Sequence, residues 1–337
     1  MLTKATYYPS IKSTCHATFA DLDTKQCVSR ETMTDLRGFF AALPTPFEAD
    51  GGGIAEAPLG DLVKRNLSSG LAGLYIGGST AEAFLMAVEE RETVLRVAAE
   101  AAEGRGVLIA QVGDPNPKVS ARLAKVAAGA GYDAISAVPP FYYRYAMEEI
   151  AAHYAWLAGQ NDLPFLIYNF PELSGVRWSV GDLTRLLELP GIVGVKNTCG
   201  DLYAFESLRR RVPHSVLLHG FDETLLAGLA LGADGGIGTT YNIQPSRILA
   251  IAAAQEAGRA REAQTLQSEA NELIDTMTSV GVLPALKYLL TVTGTTMGSC
   301  RPQIGTLSKL ARKKLDAVAE AYLSDGPAVR PTTASHG

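Results

Sequence analysis

The chain has 337 residues, 47% of them hydrophobic and 19% charged, and a formal net charge of −5. This composition excludes a largely disordered chain, and the length suits one large core or two small ones. The negative balance gives no general attraction for nucleic acid or an anionic membrane surface, and no apolar run nears the ~20 residues of a spanning helix.

Residues 1–36 show no period. They mix Tyr7, Tyr8, Pro9, Cys15 and Cys27 with polar residues and lack the apolar centre of a secretory signal. Asp21, Asp23, Glu31 and Asp35 argue against a transit peptide. The segment reads as a poorly ordered extension, with Met33 as the functional start; mass spectrometry of the native protein finding Met1 retained would reject that start. From residue 38 the pattern alternates. Short apolar runs at Gly38–Leu43, Gly73–Ile76, Val107–Val112, Ala134–Val138, Phe165–Tyr168, Ile192–Val195, Val216–Leu218 and Gly235–Ile237 lack polar alternation, as parallel strands buried on both faces do. Helix-period stretches lie between them, clearest at Glu89–Glu103, Pro117–Ala130, Met147–Ala158, Asp182–Glu188 and Pro245–Ala257. Pro117 and Pro245 stand at helix starts, and Gly104, Gly131 and Gly258 at helix ends. These units predict a (β/α)8 TIM barrel over 37–258. A doubly wound open sheet is the competitor, but the first strand ends in Pro44-Thr45-Pro46 rather than a glycine-rich phosphate loop. Residues 259–325 read as a C-terminal appendage of three helices, and 326–337 as a frayed tail.

In a barrel, reactive groups gather where strands end and loops begin. Lys196 alone among the lysines ends an apolar strand run; the others fall mostly on helical or terminal segments that read as solvated. A lysine buried there loses proton affinity, and bringing it from ~10.4 to near 7.5 takes about 4 kcal/mol, within reach of burial. A neutral amine is a nucleophile toward a carbonyl; a buried ion pair with Asp or Glu is the alternative. Tyr168 ends the preceding strand and can relay a proton there, or be an ordinary strand-end tyrosine. Ser79 and Thr80 follow Gly77-Gly78, a turn that can cradle a carboxylate or be only a turn. Asp222 and Glu223 follow the seventh run; they can cap a helix, bind hydroxyls, or do both. Of five histidines only His219 lies at a strand end, which disfavours a metal-dependent mechanism. The four cysteines, Cys15, Cys27, Cys199 and Cys300, have no metal or redox spacing and fit a reduced, cytoplasmic setting.

Gly77-Gly78-Ser79-Thr80-Ala81-Glu82, Tyr168-Asn169-Phe170-Pro171 with Leu173-Ser174-Gly175, Val195-Lys196-Asn197-Thr198 with Gly200-Asp201-Leu202-Tyr203, and Gly235-Gly236-Ile237-Gly238 together resemble the N-acetylneuraminate lyase/dihydrodipicolinate synthase superfamily. Leu-Ser-Gly and the Gly220-Phe221-Asp222-Glu223 loop resemble its N-acetylneuraminate lyase branch, and the absence of an arginine at Leu173 counts against a dicarboxylic substrate. The resemblance implies a class I aldolase with no metal or organic cofactor. Lys196 would form an imine with the keto acid, and Tyr168 would be the acid/base. Ser79 and Thr80 would hold the carboxylate, and Tyr142 would reach into a neighbouring subunit of a homotetramer. Thr198, Gly220, Asp222, Glu223 and Thr239 would meet the sugar. Three departures put sugar identity in question: Ala81 and Thr239 replace a glycine and a serine, and Leu283 an aromatic residue. Another 2-keto-3-deoxy sugar acid aldolase or dehydratase, or a silent sugar-acid binding protein, is the rival.

Overall fold

A computed structural model describes residues 34–49 and 52–323. The expected extension 1–36 and tail 326–337 lie almost wholly outside the described residues. The elements run β1 (Gly38–Ala42), α1 (Glu56–Leu67), β2 (Gly73–Ile76), α2 (Val88–Ala102), β3 (Val107–Gln111), α3 (Pro117–Gly129), β4 (Ala134–Ala137), α4 (Met147–Ala158), β5 (Phe165–Asn169), α5 (Pro171–Ser174), α6 (Val180–Leu187), β6 (Ile192–Asn197), α7 (Leu202–Arg211), β7 (Val216–His219), α8 (Leu225–Ala230), β8 (Gly235–Gly238) and α9 (Pro245–Glu256). Three further helices follow: α10 (Ala260–Val280), α11 (Val282–Val292) and α12 (Lys309–Tyr322).

The eight strands pair in chain order and close, β8 lying parallel to β1. This is the (β/α)8 barrel the alternation predicts, and closure removes the open-sheet competitor. Two apolar clusters account for the absence of polar alternation. One, with Phe40, Tyr75, Ile109, Leu166, Tyr168, Leu218 and Ile237, fills the barrel. The other, larger one lies between strands and helices and includes Leu74, Ile135, Ile167, Val195 and Leu217. Successive residues of a strand serve opposite faces, so both must be apolar.

Local chemistry fixes the crossovers. Asn116 caps α3, its side chain accepting the Lys118 N–H, with Pro117 in the first turn. Ser179 and Asp182 form a reciprocal capping box at α6. Between β5 and β6 the register shifts once, at Phe165/Leu166. Beyond that shift Tyr168 pairs with Lys196 and Asn169 with Asn197, so the phenol and the amine leave neighbouring strands at one level. Among the described residues no single helix is long and apolar enough to cross a membrane.

Candidate active site

Lys196 is 4% exposed at the C-terminal end of β6. Its Nζ lies 4.1 Å from the ring centroid of Tyr168 and 4.3 Å from that of Tyr75. The two rings meet edge to face at 5.8 Å. Burial brings the amine down to about 7, against the Asp222 charge, which pulls it up. At neutral pH a large share of the amine is therefore free base. The rings add cation–π attraction for any positive charge at that nitrogen.

Tyr168 is equally enclosed. Burial lifts its phenol to about 12, while the hydroxyls of Ser79 and Thr198 work the other way. It is thus a neutral donor at neutral pH. The Thr198 hydroxyl has no well-aligned hydrogen-bond partner among the described residues. Gly220 faces it so closely that a Cβ there would overlap Thr198 Oγ1, so only glycine fits.

After β2 the chain turns through Gly77 and Gly78 into two short 3-10 turns, Ser79–Ala81 and Ala83–Leu85. Gly78 lies against the Tyr75 ring, where a Cβ would come within 2.8 Å. Backbone bonds use the N–H groups of Ala81 and Glu82, and none among the described residues claims those of Ser79 or Thr80. Two free N–H groups and two hydroxyls therefore stand together, an arrangement suited to a carboxylate. Ala81 carries no positive φ; that conformation falls on Glu82, at φ 61. The alanine is accommodated without backbone strain. Thr80 Oγ1 lies 2.8 Å from Thr239 Oγ1, joining the β2 turn to the β8 loop.

Asp222 does not cap its own helix. Its Oδ2 accepts the backbone N–H and the hydroxyl of Thr240, each at 2.7 Å, and α8 begins only after the 3-10 turn Asp222–Thr224. Burial raises its carboxyl to about 6; the Thr240 bonds oppose the rise, Glu223 adds to it and Lys196 opposes it. Glu223 itself is exposed. Tyr142, also exposed at 86%, has φ 81, a strained conformation for an aromatic residue. Beside it a cavity of about 380 Å³ opens between Ser79, Phe84, Leu85, Phe141, Phe170 and Leu173. Ser79 of the turn lines this cavity and Lys196 does not. His219 places Nε2 2.9 Å from Thr224 Oγ1 and packs on Phe205. No cluster of three or more His, Cys, Asp or Glu suited to a metal occurs among the described residues.

Sequence reasoning passed over Tyr75, which lies in β2 and packs in the barrel interior. It also passed over Lys287, which is buried against Glu82. Nothing near α11 marked that lysine as unsolvated except its mostly apolar neighbours.

A buried amine able to shed its proton, a phenol on the adjacent strand and a hydroxyl turn stand at one barrel mouth, an arrangement able to support nucleophilic chemistry on a carbonyl carbon. The profile of the dihydrodipicolinate synthetase family matches residues 35–322, and the chain belongs to that family. An N-acetylneuraminate lyase of Escherichia coli strain SMS-3-5 is 42% identical over 294 residues, 87% of this chain and 99% of the relative. CdNal of Clostridium difficile, solved in complex with mannosamine, superposes with a TM-score of 0.84 at 34% identity, covering 86% of this chain and all of that one, 100%. The N-acetylneuraminate lyase of Fusobacterium nucleatum, solved with pyruvate, gives 0.81 at 34% identity, over 85% of this chain and 97% of that one.

Proposed function

We propose that this chain is a class I aldolase that reversibly cleaves N-acetylneuraminate to N-acetylmannosamine and pyruvate through an imine on Lys196. The buried Lys196 amine, brought to about 7 between two aromatic rings, is the observation that carries the reading. The 42% identity to an N-acetylneuraminate lyase supports the choice of substrate. Nζ adds to the ketone of the open-chain sugar acid, and water leaves to give the iminium. The iminium keeps its charge where the Tyr75 and Tyr168 rings face it. It draws in the electron pair of the C3–C4 bond as Tyr168 passes on the proton of the C4 hydroxyl. The aldehyde departs, the enamine takes a proton at C3, and hydrolysis releases pyruvate and the amine.

In this reading Ser79 and Thr80 hold the carboxylate, and Thr198, Gly220, Asp222, Glu223 and Thr239 meet the sugar hydroxyls. Carboxylates accept hydroxyl hydrogen bonds strongly. Lys196, Tyr168, Ser79 and Tyr142 make up the reacting set, with no metal or organic cofactor. Tyr142 completes the relay from a neighbouring copy in a cytoplasmic homotetramer. Its strained backbone, its exposure and the apolar cavity beside Ser79 support that placement. Sedimentation that finds a fully active monomer would remove it.

Borohydride trapping with pyruvate is the direct test, and a mass increase located on Lys196 is the expected result. A panel of keto sugar acids, read by coupled pyruvate release, tests the substrate; turnover of another acid well above N-acetylneuraminate would reassign it. The Thr80–Thr239 contact bears on that panel, since it ties the carboxylate turn to the β8 loop.

The pH profile has a definite sign. The nucleophile is the unprotonated amine, so kcat/KM rises with pH through about 7 and then levels. Asp222 pulls the Lys196 pKa upward, so Asp222→Asn moves the rising limb to lower pH. The same variant weakens sugar binding, raising KM roughly tenfold for one lost charged hydrogen bond. A limb that stays in place in Asp222→Asn would show that the two groups are not coupled.

A further inference from the structure

Glu82 sits directly after the carboxylate turn, between the two 3-10 turns, with φ 61 and ψ 33. It is 3% exposed, and both of its oxygens are held by the C-terminal appendage rather than by the barrel. Oε1 lies 2.6 Å from Lys287 Nζ of α11, and Oε2 accepts the Arg301 backbone N–H at 2.7 Å. Lys287 is itself enclosed. Its Nζ donates to the Ser299 carbonyl at 3.2 Å and lies 4.1 Å from the Phe47 ring centroid. The Arg301 guanidinium reaches the same ring at 4.1 Å and pairs with Glu90 at the start of α2. Burial lowers the proton affinity of the Lys287 amine while Glu82 raises it.

A non-glycine residue in the left-handed region is uncommon and persists where its surroundings fix it. Here two ligands from one distant segment fix it. Their joint effect is to set where the chain leaves the Ser79–Ala81 turn. From this geometry we infer that Glu82 and Lys287 are positioning residues, which lock the Ser79–Thr80 turn in the shape that receives the substrate carboxylate. The appendage is thereby part of the active site's support. The inference rests on the assignment of that turn to the pyruvyl carboxylate.

A plain structural ion pair would affect folding only. A positioning pair affects the substrate half that the turn holds. The test uses the full chain and three variants, Glu82→Gln, Lys287→Met and the double variant carrying both. Removing one partner of a buried pair leaves an unpaired charge and can impair folding; removing both leaves none, so the double variant keeps the question answerable. The pyruvate concentration for half-maximal borohydride trapping is measured by intact mass on folded protein, together with the KM values of both substrates in the condensation direction. The expected result is a rise in the pyruvate values on the order of ten- to a hundredfold, the range that a small misplacement of a binding group produces. The KM for N-acetylmannosamine and the pH midpoint near 7 stay unchanged, because neither residue touches the sugar or Lys196. Unaltered pyruvate values in the folded double variant would overturn the inference while leaving the aldolase reading intact. Failure of the wild-type protein to be trapped by pyruvate would overturn both.

Discussion

Lys196→Met is expected to lose activity by on the order of 10⁵-fold or more and to give no borohydride adduct with pyruvate, while melting at a higher temperature than the wild type. The first part follows from removing the only atom that forms the covalent bond. The second follows from linkage. An unfolded lysine keeps its proton up to ~10.4, whereas the folded one releases it near 7. Below about 7 the folded state must carry a charge in a site that disfavours it, at a cost of about 5 kcal/mol relative to the unfolded chain. As pH rises from about 7 toward ~10.4 the unfolded chain loses its preference and the penalty fades. Methionine has similar length and no charge. The gain in stability is therefore largest at pH 6 to 7 and small by pH 10. Denaturant melts of both proteins across that range measure it. An inactive variant that is more stable separates chemistry from misfolding. A Lys196→Met protein less stable than wild type at pH 6 would mean the amine is held by favourable partners, and the neutral-nucleophile argument would fail with it.

The parts of this site that could be read from sequence are those fixed by strand period. Lys196 and Tyr168 each end an apolar run, and in a parallel barrel such residues sit at the catalytic end. The register that pairs them depends on the shift at Phe165/Leu166, which no local pattern marks. Asp222 was legible as an acid at a strand end, but its partner was not. Helix capping is the local use of such a residue, and the fold supplies a better one in Thr240, on the next loop. The Thr80–Thr239 contact and the Glu82–Lys287 pair are illegible for the same reason: each joins segments far apart in the chain. Lys287 is the clearest case. Lysines on helices usually face water, and only the burial of Ala285, Leu286, Leu289 and Leu290 around it shows that this turn of α11 does not. Motif resemblance reached Glu82 as one letter of a signature, whereas its mechanical role needed coordinates.

Tyr168→Phe is expected to lower kcat by on the order of 10²- to 10⁴-fold, the usual worth of a positioned acid/base, with a much smaller change in KM. The substitution keeps the ring, and with it the face that Lys196 meets at 4.1 Å and the contact with Tyr75. Only the hydroxyl is lost. Because burial holds the phenol up at about 12, phenolate is scarce at neutral pH, and Tyr168 must take a proton as it gives one, in concert with the C–C step. The wild-type profile should accordingly show no alkaline fall from this group below about 12. Imine formation also uses the phenol, to expel water from the carbinolamine. Tyr168→Phe should still trap pyruvate with borohydride, yet reach the same final adduct more slowly, while the rising limb near 7 stays where it is. Stopped-time trapping and steady-state rates on one preparation distinguish the outcomes. A kcat within threefold of wild type would assign the proton transfer to another group.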